Sequence, residues 1–284
     1  MAVTQLSSLN SLFNTIYDRA LFVAREMNLM VGLVDNRSAT GWMSRNVSIR
    51  PQITAVTVAE TQDFAAPTTF GKTTQATITP GEVMAQVVLT DRDRETDPDG
   101  AQRDAELELG ASVATKIDVD LASVFGSFGT DKGDGAGNAA TISNFAAAVA
   151  VLRFNQALQY GVPSAVWHPY HWHDLWVELG QPAATYDFLD DMANEAMRNY
   201  YVSDWLKCRH FTSSNIAIDG SDDAVSGLFV RPAIMLDTRR PIRMEPERDA
   251  SARAWELNVN AGYGYGITRD TLGVGFTADA TEPA

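Results

Sequence analysis

Three of the chain's four histidines fall in one short run, His168-Pro169-Tyr170-His171-Trp172-His173. Three imidazoles are enough to hold zinc or iron. The spacing serves that chemistry poorly. On a helix His168 and His171 share a face while His173 points elsewhere. Pro169 favours an extended His168, and no carboxylate completes a familiar ligand pattern. Aromatic packing where a strand enters a helix is the favoured reading. A metal-dependent enzyme built on His168, His171 and His173 is the remote alternative.

Other chemistry-bearing patterns dissolve on inspection. Asp219-Gly220-Ser221-Asp222-Asp223 and the stretch 91–99 resemble calcium loops. Counted from Asp219, however, Ala224 and Val230 occupy the positions where an EF-hand needs glycine and a bidentate acid. Gly262-Tyr263-Gly264-Tyr265-Gly266 leads into no helix, so it reads as close packing or a bend in a strand rather than a phosphate cradle. Cys208, near His210, reads as a buried small hydrophobe rather than a nucleophile. Arg239-Arg240-Pro241-Ile242-Arg243 is the one basic run, and in this chain it is expected to pair with carboxylates rather than nucleic acid. No Gly-x-Ser-x-Gly elbow occurs, and no spacing singles out a Ser-His-Asp triad. No catalytic residue, metal ligand or cofactor is assigned.

Composition narrows the remaining classes. Lys and Arg total 22 and Asp and Glu 36, a net charge of −14 over 284 residues. That balance excludes tight gripping of a nucleic-acid backbone. Hydrophobic residues make up 45% and charged residues 20%, as in an ordinary folded chain of one or two domains. A single cysteine excludes an internal disulfide and points to a reducing compartment. Residues 1–11 lack a signal-peptide pattern. The most apolar stretch, 145–152, is too short to span a bilayer, so no membrane partner is expected.

The elements follow from periodicity. Leu6, Leu9, Leu12, Phe13, Ile16 and Tyr17 recur at three- and four-residue steps, the mark of an amphipathic helix or an N-terminal arm on a neighbouring subunit. The stretches 54–60 and 73–79 alternate and 83–90 is strand-like, all rich in Thr and Val. They are read as a long two-stranded hairpin with an exposed tip at 64–72. Such a ribbon is marginal alone and needs a surface to lie on. The stretch 91–100 reads as a charged junction. Ala105, Leu109, Val113, Ile117, Leu121 and Phe125 then form a run of four-residue steps, the apolar stripe of one long helix, with Glu106, Glu108, Lys116, Asp118 and Asp120 largely off it. Helices are expected at 144–158, capped by Ser143, at 169–180 and at 186–201. Strands are expected at 162–167, 207–212, 224–236, 242–246, 252–261 and 266–278. The order is an α+β pattern, not a regular βαβ alternation.

That order resembles the major capsid proteins of tailed bacteriophages, with their Hong Kong 97-type fold. Local strings add to it: Ala165-Val166-Trp167-His168-Pro169 before Asp174-Leu175; Phe211-Thr212-Ser213-Ser214-Asn215; Ile242-Arg243-Met244-Glu245; Trp255-Glu256-Leu257; and Gly273-Val274-Gly275-Phe276-Thr277-Ala278-Asp279-Ala280. The resemblance implies an N-terminal arm at 1–46, an E-loop hairpin at 47–92, a P-domain spine helix at 93–138, an A-domain at 139–234, and P-domain strands with a C-terminal tail at 235–284. It implies a homo-oligomer: hexamers and pentamers tiling an icosahedral shell around double-stranded DNA packaged without sequence specificity. The implied partners are a portal and separate scaffolding or decoration proteins, and the implied location is the virion capsid, assembled in the host cytoplasm. Phe70 and Lys72 on the hairpin, with Leu12, Phe13 and Ile16 on the arm, are the inter-subunit contact candidates. Some relatives join an E-loop lysine to a neighbour's asparagine. Lys72 with Asn260 or Asn215 would be that pair here, but no catalytic acid matches, and pairing of Lys72 with a carboxylate across the interface is preferred. An encapsulin-type nanocompartment shell is the alternative within the same fold.

Overall fold

The computed structural model describes residues 29–50, 53–58, 60, 69–96, 100–180 and 205–283. The expected helices at 6–24 and 186–201 lie outside them. The order is α1 (Leu29–Leu33), β1 (Asp35–Ser38), β2 (Arg45–Ile49), β3 (Thr73–Ile78), β4 (Gly81–Thr90), α2 (Asp91–Thr96), α3 (Gly100–Ser123) and α4 (Ile142–Phe154). There follow β5 (Ser164–Trp167), α5 (Pro169–Gly180), β6 (Arg209–Thr212), β7 (Asp223–Phe229), β8 (Ile234–Asp249), β9 (Ala254–Ile267) and β10 (Gly273–Asp279). The strands form a large sheet, β1-β8-β9-β4, a small sheet, β10-β7-β5-β6, and a two-stranded ribbon, β2-β3. No helix among the described residues is long and apolar enough to cross a membrane.

α3 is the axis of the molecule. Every residue of its predicted stripe, from Ala105 to Phe125, is buried. Each Leu or Phe so buried contributes about 1.5–3 kcal/mol. The helix is covered on more than one side, which the stripe alone did not indicate. Asp118 and Asp120, expected off the stripe, are 1% and 8% exposed. Buried carboxylates require partners, and both have them. Asp118 accepts from the Met30 backbone N–H at 2.7 Å and from Asn215 Nδ2 at 2.8 Å. Asp120 accepts from Lys116 Nζ at 2.6 Å and from the Tyr263 hydroxyl at 2.7 Å. These bonds tie α3 to α1, to the turn after β6 and to β9. Beside Asp120, burial pushes the Tyr263 hydroxyl well above its ordinary value.

The small sheet is apolar through nearly its whole thickness. β5 is buried at every position, and Trp167 makes edge contacts with Phe145 and Phe276 at ring separations of 5.3 and 5.1 Å. α4 is capped by Thr141, two residues before the expected Ser143. Asp134 chooses that position: its carboxylate accepts from the Thr141 N–H and hydroxyl and from Asn144 Nδ2 at 2.7–2.8 Å.

Several sequence expectations need correction. Residues 53–58 form no strand, and the partner of β3 is β2, Arg45 facing Ile78. Thr/Val alternation marks extended propensity but not a register. The charged junction holds a short helix, α2. The strand expected over 224–236 is broken by a 3-10 turn at Arg231–Ala233, and β8 then runs unbroken through the Arg-Pro run. Pro241 is tolerated there because it lies between register shifts and beyond the last β1 partner, Thr238, on an open edge that requires no N–H.

Candidate subunit-contact surface

The ribbon is rooted in a buried ionic clamp. Arg45 of β2 and Arg239 of β8 lie 2.9 and 2.5 Å from opposite oxygens of Asp237, whose side chain is fully buried. Part of the predicted basic run therefore pairs with carboxylates as expected, with Arg240 on Glu82 and Arg243 on Glu245 completing it. The glycine run supplies the seat. A Cβ at Gly264 would fall 2.8 Å from Ile78 Cγ2 and 2.9 Å from the Thr79 carbonyl. At Gly262 it would fall 2.6 Å from the Trp42 ring. Trp42 in turn lies under the Arg240 guanidinium, 5.4 Å away. Alternate glycines thus flatten one face of β9 so that the ribbon root can lie on it, which is the close-packing reading of that motif.

Beyond the root, the large apolar side chains among the described residues are open. Ile53 is 57% exposed and Phe70 50%, with Val56 and Val58 similarly open. Arg50 stacks 4.8 Å above Phe70. Lys72 is exposed on the same ribbon. Of the other contact candidates, Leu12, Phe13 and Ile16 lie outside the described residues. The outer face of the large sheet continues the pattern. β4 is an edge strand, its inner residues Val83, Ala85, Val87 and Leu89 turned toward α3 while Met84 and Val88 stand out, 64% and 49% exposed. Glu82 lies on the same strand and Glu256 pairs opposite Val88 on β9. The two asparagines considered for a covalent bond do not present an open amide: Asn215 is held by Asp118, and Asn260 is 5% exposed.

The histidines are structural. His171 is fully buried, its Nε2 at 3.0 Å from the Ala278 carbonyl and its Nδ1 at 2.7 Å from Ser226 Oγ. A carbonyl only accepts, so Nε2 carries the proton and Nδ1 accepts from the serine hydroxyl. His168 Nδ1 accepts from the Tyr170 N–H, and His210 Nδ1 from Trp167 Nε1. His173 stands half-exposed beside Asp174. Burial pushes the His168 and His171 imidazoles below their ordinary values. No group of three or more His, Cys, Asp or Glu among the described residues is placed to hold a metal. Cys208 is fully buried, and burial pushes its thiol up to about 11. In the acidic turn, Asp219 Oδ1 accepts from the Ser221 and Asp223 N–H groups, which is turn chemistry.

No family model matches the chain, and no curated protein matches it. Solved structures do. The mature capsid of bacteriophage PhiM1 aligns with a TM-score of 0.66 at 14% identity, over 90% of this chain and 88% of that one. A protein of Mycobacterium phage Che8 aligns at 0.65 and 17% identity, over 82% and 84%. The chain has the tailed-phage major capsid fold. A virus-like particle from Pyrococcus furiosus shares that fold at a TM-score of 0.61 and 9% identity, over 93% and 98%. Sequence reasoning singled out Phe70 and Lys72, which are exposed, but not the exposed Met84 and Val88, whose alternation against covered neighbours in 83–90 was the available signal. It also missed the Asp237 clamp, which joins residues 192 positions apart (45 to 237) and leaves no local trace.

Proposed function

We propose that this chain is a major capsid protein, a structural subunit without enzymatic activity that assembles as hexamers and pentamers into an icosahedral shell around double-stranded phage DNA. The observation that carries this is the ribbon: a two-stranded arm clamped at its root and apolar beyond it, on a capsid fold. In this reading residues 47–92 act as the E-loop and lie across a neighbour. α3 is the spine of the P-domain, residues 139–234 form the A-domain, and residues 1–46 form an arm between capsomers. Portal, scaffolding and decoration proteins would be its partners, and the virion capsid its location. Deleting residues 62–75 is expected to leave a subunit that melts like the parent but does not assemble, read by light scattering and electron microscopy. Shells of normal yield from the deletion would overturn the reading.

The match to the Pyrococcus furiosus particle over nearly both full lengths favours one second reading, a nanocompartment shell that encloses protein. The contents of particles purified from cells decide between DNA and protein cargo.

A further inference from the structure

The small sheet carries opposite charge at its two ends. Its register gathers the starts of β5, β6 and β10 and the end of β7 at one end, with Ser164 facing Arg209 and Phe229 and with Gly273 facing Phe229. The turns and strand starts there bear Arg153, Lys207, Arg209 and Arg269. Among them stand Phe154, Tyr160 and Val162, which are 87%, 52% and 48% exposed. Asn155 Nδ2 donates to the Thr271 carbonyl at 3.0 Å, and Arg269 lies 5.0 Å above the Tyr160 ring, so the two turns form one surface. Among the described residues none of these four cations has an ion pair. Arg37, Arg45, Lys116, Arg239, Arg240, Arg243 and Arg248 each have one. Asp270, the carboxylate nearest in sequence, accepts from the Gly129 N–H at 2.7 Å. Within a chain of net charge −14, the described residues thus place four cations without an ion pair around an exposed phenylalanine.

The opposite end lies the length of β7 away, seven residues or about 23 Å. It is acidic. Asp219, Asp222, Asp279 and Glu282 collect there beside Ile218, which is 40% exposed. The Asp222 carbonyl accepts from the Ala280 N–H at 2.6 Å, which joins the turn before β7 to the tail after β10.

We infer that the basic, aromatic end of one copy's small sheet seats on the acidic end of the next copy, head to tail. The inference rests on the shell reading above and names one of its contacts. Two different, complementary patches make a heterologous interface, which repeats in one direction and closes into a ring or continues. Apolar centres flanked by complementary charge give such a contact its orientation and make it weaken with salt.

The test is a charge swap in the full chain. One variant carries Arg153→Glu with Arg209→Glu, a second carries Asp222→Lys with Glu282→Lys, and a third carries all four. Melting curves check that each is folded. A pair that unfolds is replaced by its neutral form (Arg153→Gln with Arg209→Gln, or Asp222→Asn with Glu282→Gln), read by a loss of salt dependence. Each reversed pair is expected to cut the assembled fraction at least about tenfold, since like charges then face each other. The four-fold variant is expected to recover it. Folded pair variants that assemble like the parent would overturn the inference while leaving the shell reading intact. A folded four-fold variant that stays unassembled would also overturn it and assign the basic end to nucleic acid or a separate acidic protein. A parent chain that remains monomeric would sink the shell reading, and this contact with it.

Discussion

The two four-stranded sheets use the same strand chemistry to opposite ends. Three strands of the small sheet are buried on both faces, β5 throughout and β7 and β10 at most positions, while its edge strand β6 is partly open. The large sheet is buried on both faces at Ile234–Asp237 and around Val259–Gly264 but on one face only in its outer half. β4 and the far half of β8 alternate between covered and open residues, and α3 covers the inner side. A doubly covered sheet has its faces filled from within the chain and leaves only its ends open. The singly covered part, with Met84 and Val88 outward and a ribbon clamped above it, leaves an apolar face open. The difference separates what folds the subunit from what it offers a neighbour.

The comparison breaks most easily at the small sheet. Trp167→Ala removes a fully enclosed ring and should cost about 3–5 kcal/mol. Denaturant titration should find the variant unfolded or nearly so; a loss under 1 kcal/mol would mean that the sheet is not the folding core.

Asp237→Ala is next. It leaves two guanidinium groups facing each other, Arg239 almost fully buried, for a loss of about 3 kcal/mol. Hydrogen exchange should show the ribbon strands Arg45–Ile49 and Thr73–Ile78 losing protection before β5 does. Uniform loss would contradict a clamp local to the root.

Acid should separate the sheets further. His168 and His171 have folded values below the unfolded value of about 6.5. The native state therefore binds fewer protons than the unfolded one. Their contribution is whole above pH 6.5 and is lost as pH falls toward the folded values. The burial of His171 outweighs the opposing pull of the Ala278 carbonyl and of Asp174, Asp279 and Asp223. Below the unfolded value each histidine still held neutral lowers the ratio of folded to unfolded chains as acid rises. Exchange protection in β5 and β10 should fall with acid more than in β8 and β9, and His171→Gln should flatten the trend. Equal decline in both sheets would remove the histidines from the account.

The smallest effect on folding is the sharpest on the comparison. Met84→Ser with Val88→Ser should change stability by no more than about 0.5 kcal/mol per site, as exposed positions do, yet reduce assembly. A marked drop in melting temperature would mean that the outer face serves the fold after all.

What the sequence disclosed follows the range of the interactions. α3 was legible because Ala105 to Phe125 repeat at a spacing that only a helix satisfies, and α5 because Pro169 and Gly180 bound it on both sides. The ribbon was half legible. The alternation at 73–79 located β3, but its partner is set by Arg45 meeting Asp237 and by Ile78 meeting Gly264, contacts between distant residues. Asp118 and Asp120 looked solvent-facing because nothing local shows that a backbone N–H at Met30 or a hydroxyl at Tyr263 will arrive opposite them. Of the open apolar surface, Phe70 was legible because it sits in a turn-rich stretch with little to bury. The outward face of β4 required knowing which neighbour it pairs with.

β8 is a single strand of 16 residues, a beam about 50 Å long. Its register shifts fall between Thr238 and Arg243, just past the clamp at Asp237. A beam gripped at one end and jointed beside the grip behaves as a lever. A push at the Asp249 tip turns the outer arm about the joint, while Ile234 to Asp237 stay fixed in the core. The ribbon is fastened at that fulcrum, so the outer arm can bend under load without dragging the ribbon root along with it.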